Sequence, residues 1–231
     1  MLITGFPAAA FGTNCYVVAP GPGEHAVVVD PGIEVIDELD DLLREHRLQP
    51  VAVLLTHGHL DHTFSVTPVC GARGIPAYIH PGDEHLLADP MAGVSRETAA
   101  MFGGRLEWTE PDDVKMLAGG EALSIAGLDL TVDHAPGHTP GSVVFRLPAD
   151  ESAARPPVML SGDLLFAGSI GRTDLPGGDT AQMMESLART VLPLEDDVVV
   201  LPGHGPRTTI GRERATNPFL RDLVPAPARG L

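Results

Sequence analysis

The sequence has few aromatic residues, a single lysine and no long apolar run. Aromatic residues make up 4% of the 231 positions, and 15 basic residues face 31 acidic ones, which gives a formal net charge of −16. Nucleic-acid binding depends mainly on lysine and arginine that neutralise phosphates, so this charge balance argues against a nucleic-acid partner. No stretch approaches the ~18 apolar residues that a membrane-spanning helix needs, so we expect no membrane association.

Cysteine is also scarce, because the chain has only Cys15 and Cys70 and they form no C-x-x-C pair. We expect both to be buried thiols in a reducing compartment. The first residues lack a basic leader followed by a long apolar core, so we predict a cytoplasmic protein without a signal peptide. The hydrophobic content of 43% is ordinary for a globular chain. We predict one domain over residues 1–222 and a disordered tail over residues 223–231.

Short apolar segments alternate with amphipathic ones along the chain. Residues 51–55 form a continuous apolar run typical of a buried strand, and residues 34–46 carry apolar side chains at helical spacing. Turn residues predict neighbouring strands at residues 13–19 and 26–30 and a hairpin around Ala126 and Gly127. Further helices are predicted at residues 82–88 and 95–102, where an insertion could overhang a site, and after Asp179 as N-cap.

Metal-type side chains follow several of these apolar runs. The densest group, His57, His59, Asp61 and His62, comes directly after residues 51–55. Functional groups of α/β proteins gather at strand ends on one edge of a sheet, so we expect side chains after different strands to meet there. The candidate set has seven members: His57, His59, Asp61, His62, His138, Asp163 and His204. Seven ligands exceed the four that one tetrahedral ion uses, which predicts two metal ions.

The residue types and spacing of the first group narrow the chemistry. Imidazoles and carboxylates suit zinc and other borderline first-row metals, and the lack of nearby thiolates argues against a structural zinc finger. Since His57, His59 and Asp61 alternate, we expect them to project to one side of an extended loop and His62 to the other. A solvated loop that binds nothing is disfavoured, because later Gly-His-Thr, Gly-Asp and Gly-His-Gly segments supply further ligands.

This pattern resembles the metallo-β-lactamase superfamily, whose signature H-x-H-x-D-H reads here at residues 57–62. The resemblance implies an α/β fold, the four-layer αββα sandwich known as the metallo-β-lactamase fold. It also implies two divalent metal ions, with zinc as the favoured identity and iron or manganese as alternatives.

The same resemblance divides the seven ligands between the two ions. One ion is implied on His57, His59 and His138. The other is implied on Asp61, His62 and His204. Asp163 would bridge them, and the catalytic group would be a metal-bound hydroxide held by Asp61 and Asp163.

Three residues near these ligands have two interpretations each. Asp30 ends a predicted strand, where it could orient a ligand imidazole or only shape the turn. Arg172 could pair with Asp174 or bind a substrate carboxylate. His134 precedes His138 by four residues, a spacing that does not place both on one face at a strand end, so we expect it outside the ligand set. His80 has no local companion in the sequence and is expected at the surface or in the core.

Hydrolysis of an acyl compound is the reaction that this ligand set favours. Two ions make hydroxide available near neutral pH, and no G-x-S-x-G elbow supports a serine nucleophile. No spare general acid is identifiable near the ligand loops. A thiolate, with a parent pKa of about 8.5, leaves without protonation, whereas an amine needs an acid. The sequence therefore predicts a thioester substrate rather than an amide.

The segments at residues 171–179, 203–206 and 217–219 are similar to short glyoxalase II-like hydrolases, which implies a small-molecule acyl-thiol substrate such as S-lactoylglutathione. Only 27 residues follow His204, too few for the helical domain that carries much of the glutathione site in that family. All basic residues except Lys115 are arginine, a bias of GC-rich genomes such as those of actinobacteria, many of which use mycothiol. The identity of the thiol is therefore open, as is the oligomeric state.

Three other functions are compatible with the same pattern. An iron persulfide dioxygenase would use one Fe(II) on His57, His59 and His138, and a Gly-Arg-Thr-Asp segment also occurs in that family. The complete second ligand group favours hydrolysis over this alternative. A lactonase is a further hydrolytic possibility, and a metal store would be the non-enzymatic one.

Overall fold

Two six-stranded β-sheets pack face to face in the computed structural model, which describes residues 1–102, 108–150 and 154–223. The first sheet has the spatial order β1 (Leu2–Pro7), β2 (Asn14–Ala19), β3 (His25–Val29), β4 (Gln49–Leu54), β5 (Ala77–Ile79) and β6 (Val114–Met116). Strands β1 to β3 pair in antiparallel fashion, whereas β3 to β6 run parallel. The parallel strands bring three consecutive carboxyl ends, those of β3, β4 and β5, to one edge.

The second sheet is mostly antiparallel. Its spatial order is β14 (Thr208–Thr209), β13 (Val199–Pro202), β10 (Val158–Gly162), β9 (Val143–Leu147), β8 (Leu128–His134) and β7 (Glu121–Ile125). Only β10 and β13 are parallel neighbours, so their carboxyl ends also share an edge. A small hairpin, β11 (Leu165–Phe166) and β12 (Ser169–Ile170), follows β10.

Helices cover the outer face of each sheet. They are α1 (Ile36–His46), α2 (Leu60–Thr63), α3 (Val66–Arg73), α4 (Glu84–Ala88), α5 (Arg96–Phe102), α6 (Thr180–Ser186), α7 (Ile210–Thr216) and α8 (Pro218–Leu223). A 3₁₀ turn (Pro90–Gly93) separates α4 from α5, and a π-helical turn (Leu187–Val191) extends α6. None of the helices in the described part of the chain is long and apolar enough to span a bilayer.

Three apolar clusters define four layers. Leu39 of α1 belongs to a cluster between the first sheet and its helices. Phe145 of β9 packs with Leu54 of β4 in the cluster between the two sheets. Met183 and Leu187 pack with core residues of the second sheet on its outer side. This arrangement confirms the predicted four-layer αββα sandwich.

Strand β4 shows why its apolar run has no polar positions. Val53 contacts the helical side of the first sheet, whereas Ala52 and Leu54 contact the second sheet. Both faces are covered, so alternation of polar and apolar residues is absent. The predicted buried strand is confirmed, one residue shorter at its carboxyl end.

Several smaller predictions are also confirmed. The hairpin turns at Ala126 and Gly127, whose φ angles of 55° and 72° match a tight two-residue turn. Asp179 caps α6 by accepting a hydrogen bond from the Gln182 N–H. Cys15 and Cys70 are both buried free thiols.

Most boundaries differ from the predicted ones by one or two residues. Helix α1 starts at Ile36 rather than residue 34, because Glu34 adopts a left-handed conformation with φ of 58°. Leu223, expected in the tail, is the last residue of α8. The rest of the predicted tail, residues 224–231, lies outside the described residues, and the division into one domain stays a prediction. Strand β1 was not predicted.

Phe145→Ala should destabilise the fold by about 3–5 kcal/mol, because it leaves a cavity between the two sheets where Phe145 is fully buried. Urea unfolding followed by circular dichroism measures this difference. Phe11→Ala is the control, since its ring is 66% exposed and its removal should cost about 0.5 kcal/mol or less. Equal losses in both variants would contradict the assignment of the inter-sheet core.

Candidate metal centre

All seven predicted residues meet at the shared edge of the two sheets. His57 and His59 lie in the loop after β4, and Asp61 and His62 lie on α2. The other three come from the loop between β8 and β9, the end of β10 and the end of β13: His138, Asp163 and His204. Their potential ligand atoms form three overlapping groups, each within 4.8 Å, and the groups share members.

The first group consists of three buried imidazoles, those of His57, His59 and His138. His59 Nδ1 lies 2.9 Å from His138 Nε2. The other ring nitrogen of His138 donates to the Arg172 carbonyl at 2.7 Å, and His57 Nδ1 lies 3.1 Å from Thr56 Oγ1. Such outer contacts orient a ring so that its remaining nitrogen points at the site.

The second group consists of Asp61, His62 and His204. His204 Nε2 lies 3.2 Å from Asp61 Oδ2 and 3.3 Å from His62 Nε2. Each member is held from behind. His62 Nδ1 donates to Asp30 Oδ2 at 2.9 Å, and Thr13 Oγ1 donates to Asp61 Oδ2 at 2.9 Å. The remaining contact is from His204 Nδ1 to the Phe11 carbonyl, at 3.2 Å.

Asp163 lies between the two groups. Its Oδ1 is 3.4 Å from His62 Nε2, and its Oδ2 is 3.5 Å from His138 Nε2 and 3.6 Å from His204 Nε2. The backbone must approach closely here, because a Cβ at residue 203 would overlap Asp163 Oδ1, so only glycine fits. The carboxylate is therefore placed to contact an ion in either group.

Several buried polar atoms of this cluster have no hydrogen-bond partner among the described residues. They are His57 Nε2, His59 Nε2 and Asp163 Oδ1. Buried polar atoms are almost always satisfied, so the unpartnered His57 Nε2 and Asp163 Oδ1 fit a metal ion. His59 instead presents its Nδ1 to the cluster, next to His138 Nε2. The donor set, five imidazoles and two carboxylates, suits zinc and related first-row metals.

The two groups differ in charge. Burial, together with the neighbouring imidazoles, lowers the pKa of His57 well below its ordinary value and that of His59 to about 3. Burial alone would lower the pKa of His62 and raise that of Asp61, but their mutual attraction and the other opposite charges nearby reverse both directions. The pKa of His204 is raised in the same way. His57 and His59 are thus neutral, whereas the second group holds protons that a metal ion must displace.

One geometric expectation was wrong. The extended conformation ends at His59, and Leu60–Thr63 forms a helical turn. Asp61 therefore joins His62 in the second group instead of projecting with His57 and His59. Alternation in sequence predicts a shared side only while the chain stays extended.

The structure places the three neighbours, and for Arg172, which also lines the cleft, contact with a substrate stays a prediction. Asp30 both shapes the turn and orients a ligand imidazole. Its backbone is left-handed, with φ of 50°, and its carboxylate accepts a hydrogen bond from His62 Nδ1. Arg172 makes a bidentate pair with Asp174 at 2.7 and 2.8 Å. His134 lies outside the three groups and stacks on His80, with ring centroids 4.0 Å apart. That His80 contact had no signal in the sequence.

A cleft of about 240 Å³ opens onto the two groups. Its walls beyond the cluster are mainly apolar, with two hydroxyls and one cation: Phe11, Ile33, Leu60, Gly93, Val94, Ser95, Thr98, Arg172 and Leu175. Val94, Ser95 and Thr98 come from the segment around α5, so the predicted helix at residues 95–102 does flank the site. The predicted helix at residues 82–88 contributes no residue to the described lining of the cleft. This lining suits a small, largely uncharged substrate.

Some supporting groups were not predicted. Thr13 had no motif to mark it, and the carbonyls of Phe11 and Arg172 belong to the backbone, which every residue has. These contacts arise only from tertiary structure.

Comparison with known proteins places this geometry in a class. The profile of the metallo-beta-lactamase superfamily matches residues 8–204. The chain therefore belongs to the metallo-beta-lactamase superfamily, a group of metallo-hydrolases that typically bind a dinuclear metal site.

Individual relatives extend over nearly the whole chain. An uncharacterized protein of Mycobacterium tuberculosis is 46% identical over 224 residues, covering 96% of this chain and 99% of the relative. The hydroxyacylglutathione hydrolase GloC of Haemophilus influenzae is 34% identical over 221 residues, covering 95% and 98%.

Two crystal structures are similar in fold and sequence. The BLEG-1 B3 metallo-beta-lactamase superimposes with a TM-score of 0.81 at 37% identity, covering 95% of this chain and 99% of that one. A protein crystallised in a di-iron-bound form gives a TM-score of 0.77 at 39% identity, covering 94% and 100%. These neighbours confirm the fold and leave the metal identity and substrate to be determined.

Asp163→Ala should lose metal from both groups, because its carboxylate is shared between them. Elemental analysis after zinc loading should fall from about two ions per chain to fewer than one. The control, His134→Ala, should retain wild-type metal content, since His134 stacks on His80 away from the cluster. Metal loss in His134→Ala equal to that in Asp163→Ala would contradict this assignment.

Acid should release the two ions in order. His62 and His204 have raised pKa values, so protons compete with metal at the second group, and affinity there falls as pH falls. Each displaced proton changes affinity about tenfold per pH unit. Between about pH 7.5 and pH 5.5, calorimetric titration should show weakening of one equivalent, with the three-histidine group affected less, because the pKa values of His57 and His59 are already lowered. Simultaneous loss of both equivalents would contradict the charge asymmetry.

Proposed function

We propose that this protein is a dinuclear metal-dependent hydrolase that cleaves thioesters of a small-molecule thiol. In this proposal one ion binds to His57, His59 and His138, and the other to Asp61, His62 and His204, with Asp163 between them. Zinc is the expected metal, and iron or manganese are the alternatives. The unpartnered buried atoms of His57 and Asp163 support this assignment, together with the approach of His59 Nδ1 to His138 Nε2.

Bound divalent ions supply a hydroxide near neutral pH and stabilise a developing oxyanion. The protein's own groups orient the reaction. Asp61 Oδ2, held by Thr13, borders the cleft and, together with Asp163, would orient the nucleophilic hydroxide. Asp30 keeps the His62 ring in its orientation, and the Arg172 carbonyl does so for His138.

The thioester assignment rests on the lack of a proton donor for the leaving group among the described residues that line the cleft. Outside the seven-residue cluster, Arg172 is the one ionisable side chain among the described residues lining the cleft, and it is paired with Asp174. No lining carboxylic acid, lysine, tyrosine or further histidine is available there to protonate an amine. A thiolate leaves without a proton, so a thioester suits this cleft better than an amide or a lactam.

The same cleft informs the identity of the thiol. Glutathione carries two carboxylates, and the described lining offers only Arg172 as a cation, already neutralised by Asp174. The walls are otherwise apolar or hydroxylated, with Phe11 and Leu175 on one hand and Ser95 and Thr98 on the other. A thiol with fewer carboxylates than glutathione, such as mycothiol, fits this lining better.

Metal analysis combined with parallel substrate assays tests the reaction class. We expect about two ions per chain and release of free thiol from lactoyl thioesters, lost in Asp163→Ala and kept in His134→Ala. One tightly bound iron per chain, with oxygen consumption on a persulfide, would instead assign a dioxygenase to the His57, His59 and His138 group. Faster turnover of a β-lactam or a lactone than of any thioester would also contradict the proposal.

The thiol preference is tested by comparing kcat/KM for lactoyl thioesters of glutathione and mycothiol. Since the acyl group is shared, the ratio isolates recognition of the thiol. We expect kcat/KM to be about tenfold or more higher for the mycothiol thioester, a ratio that corresponds to one lost polar contact. A lower KM and higher kcat/KM for the glutathione thioester would reverse this part of the proposal and leave the thioesterase assignment intact.

A further inference from the structure

Asp83 is a fully buried residue in the turn between β5 and α4. Its carboxylate accepts three hydrogen bonds. Oδ2 accepts from the Gly58 N–H at 2.9 Å and from Thr139 Oγ1 at 2.6 Å, and Oδ1 accepts from the Gly141 N–H at 2.7 Å. All three partners donate, as an ionised carboxylate requires.

The three donors belong to the two loops that supply the first ligand group. Gly58 lies between His57 and His59, and Thr139 directly follows His138. One carboxylate thus links both loops from behind. The contact is close, since a Cβ added at Gly141 would lie 2.6 Å from the Asp83 backbone nitrogen. The spacing between the loops therefore depends on the position of Asp83.

The groups that surround the Asp83 carboxylate provide a second observation. No lysine, arginine or histidine among the described residues forms an ion pair with it, so its partners are neutral dipoles. A buried charge without a counter-ion is unfavourable unless other groups compensate. The three imidazoles of the first group lie on the loops that carry these dipoles, and a divalent ion held by them would supply the missing positive charge.

We propose that Asp83 is a positioning residue that sets the distance of His57 and His59 from His138 and thereby the affinity of the three-histidine group for its metal ion. This inference rests on the proposed metal sites. Asp83 does for the first group what Asp30 does for the second. It acts through the loop backbones, however, and not through a ligand ring.

A buried carboxylate elsewhere in the fold provides a matched control. Glu213 is also fully buried and accepts from the Gly168 N–H at 2.7 Å, Thr208 Oγ1 at 2.6 Å and Asn217 Nδ2 at 3.0 Å. It joins α7 to the β11–β12 turn and to β14, none of which carries a candidate ligand. Loss of its charge tests the general effect of disturbing a buried carboxylate.

The experiment compares Asp83→Asn with Glu213→Gln in the full-length protein, with Zn²⁺ and Co²⁺ as probes. In Asp83→Asn the new NH₂ group faces the N–H of either Gly58 or Gly141, so two hydrogen-bond donors meet and one hydrogen bond is lost. Chelator competition should show about 10- to 100-fold weaker binding of one ion, the range typical for removal of an orienting partner. The Co²⁺ absorption bands of that ion should shift. A His204→Ala background, which removes a ligand of the second group, assigns the affected ion to the three-histidine group.

Glu213→Gln should leave both metal affinities within about twofold of wild type, even where its unfolding midpoint falls. Affinities in Asp83→Asn that match those in Glu213→Gln would overturn the inference and reduce Asp83 to a structural role. If Asp83→Asn does not fold, Thr139→Val removes one donor from the His138 side, and the same ion should weaken about fivefold. Unchanged affinity in that variant would also overturn it. A wild-type protein that binds no metal would overturn the proposed function together with this inference.

Discussion

The geometry of the metal centre depends on backbone hydrogen bonds that join the two sheets at their shared edge. The Val143 N–H donates to the Thr56 carbonyl at 2.8 Å, and the Asn14 N–H donates to the Gly203 carbonyl at 2.7 Å. Apolar packing between the sheets is non-directional and cannot by itself position ligands to within tenths of an ångström. These backbone bonds join the loop after β4 to β9 and the start of β2 to the end of β13. They thereby fix the position of His57 relative to that of His204, because Thr56 and Gly203 directly precede these two residues.

Two buried carboxylates, those of Asp30 and Asp83, contact the ligand residues or their loops on the side away from the cleft. The parallel strands β3, β4 and β5 end side by side, with Asp30 after β3, the H-x-H-x-D-H loop after β4 and Asp83 after β5. Asp30 contacts the second group through His62, and Asp83 contacts the first through loop backbones. The central strand thus carries ligands, and its two neighbours carry the groups that orient them. Negative charge on both sides suits a centre built for divalent cations.

The fold itself does not select the substrate, since one superfamily scaffold serves many reactions. Similar structures include a B3 metallo-beta-lactamase, and similar sequences include a hydroxyacylglutathione hydrolase. What differs between such enzymes is the cleft that surrounds the shared ligands. Here that cleft has apolar walls, two hydroxyls and an arginine already held by Asp174. The substrate of this protein therefore depends on the residues that line the cleft and not on the shared ligands.

The αββα class followed from the superfamily resemblance, and the sequence by itself determined the ligand types and the order of about half of the elements. These are encoded locally: four ligands lie within residues 57–62, and the apolar run of β4 or the Asp179 cap of α6 needs only neighbouring residues to be recognised. Strand β1 escaped prediction because Gly5 and Pro7 weaken its pattern, and it is stabilised mainly by pairing with β2. The path of the chain after His59 also escaped, since a single helical turn leaves no periodicity to read.

Only the tertiary structure decided how the ligands divide, what orients them and what lines the cleft. Asp83 contacts Gly58 and Gly141 across 25 and 58 residues of sequence, and Thr13 reaches Asp61 across 48. The carbonyls of Phe11 and Arg172 act through atoms common to every residue. No local pattern encodes such contacts, because they exist only once two sheets have packed and brought distant loops to one edge.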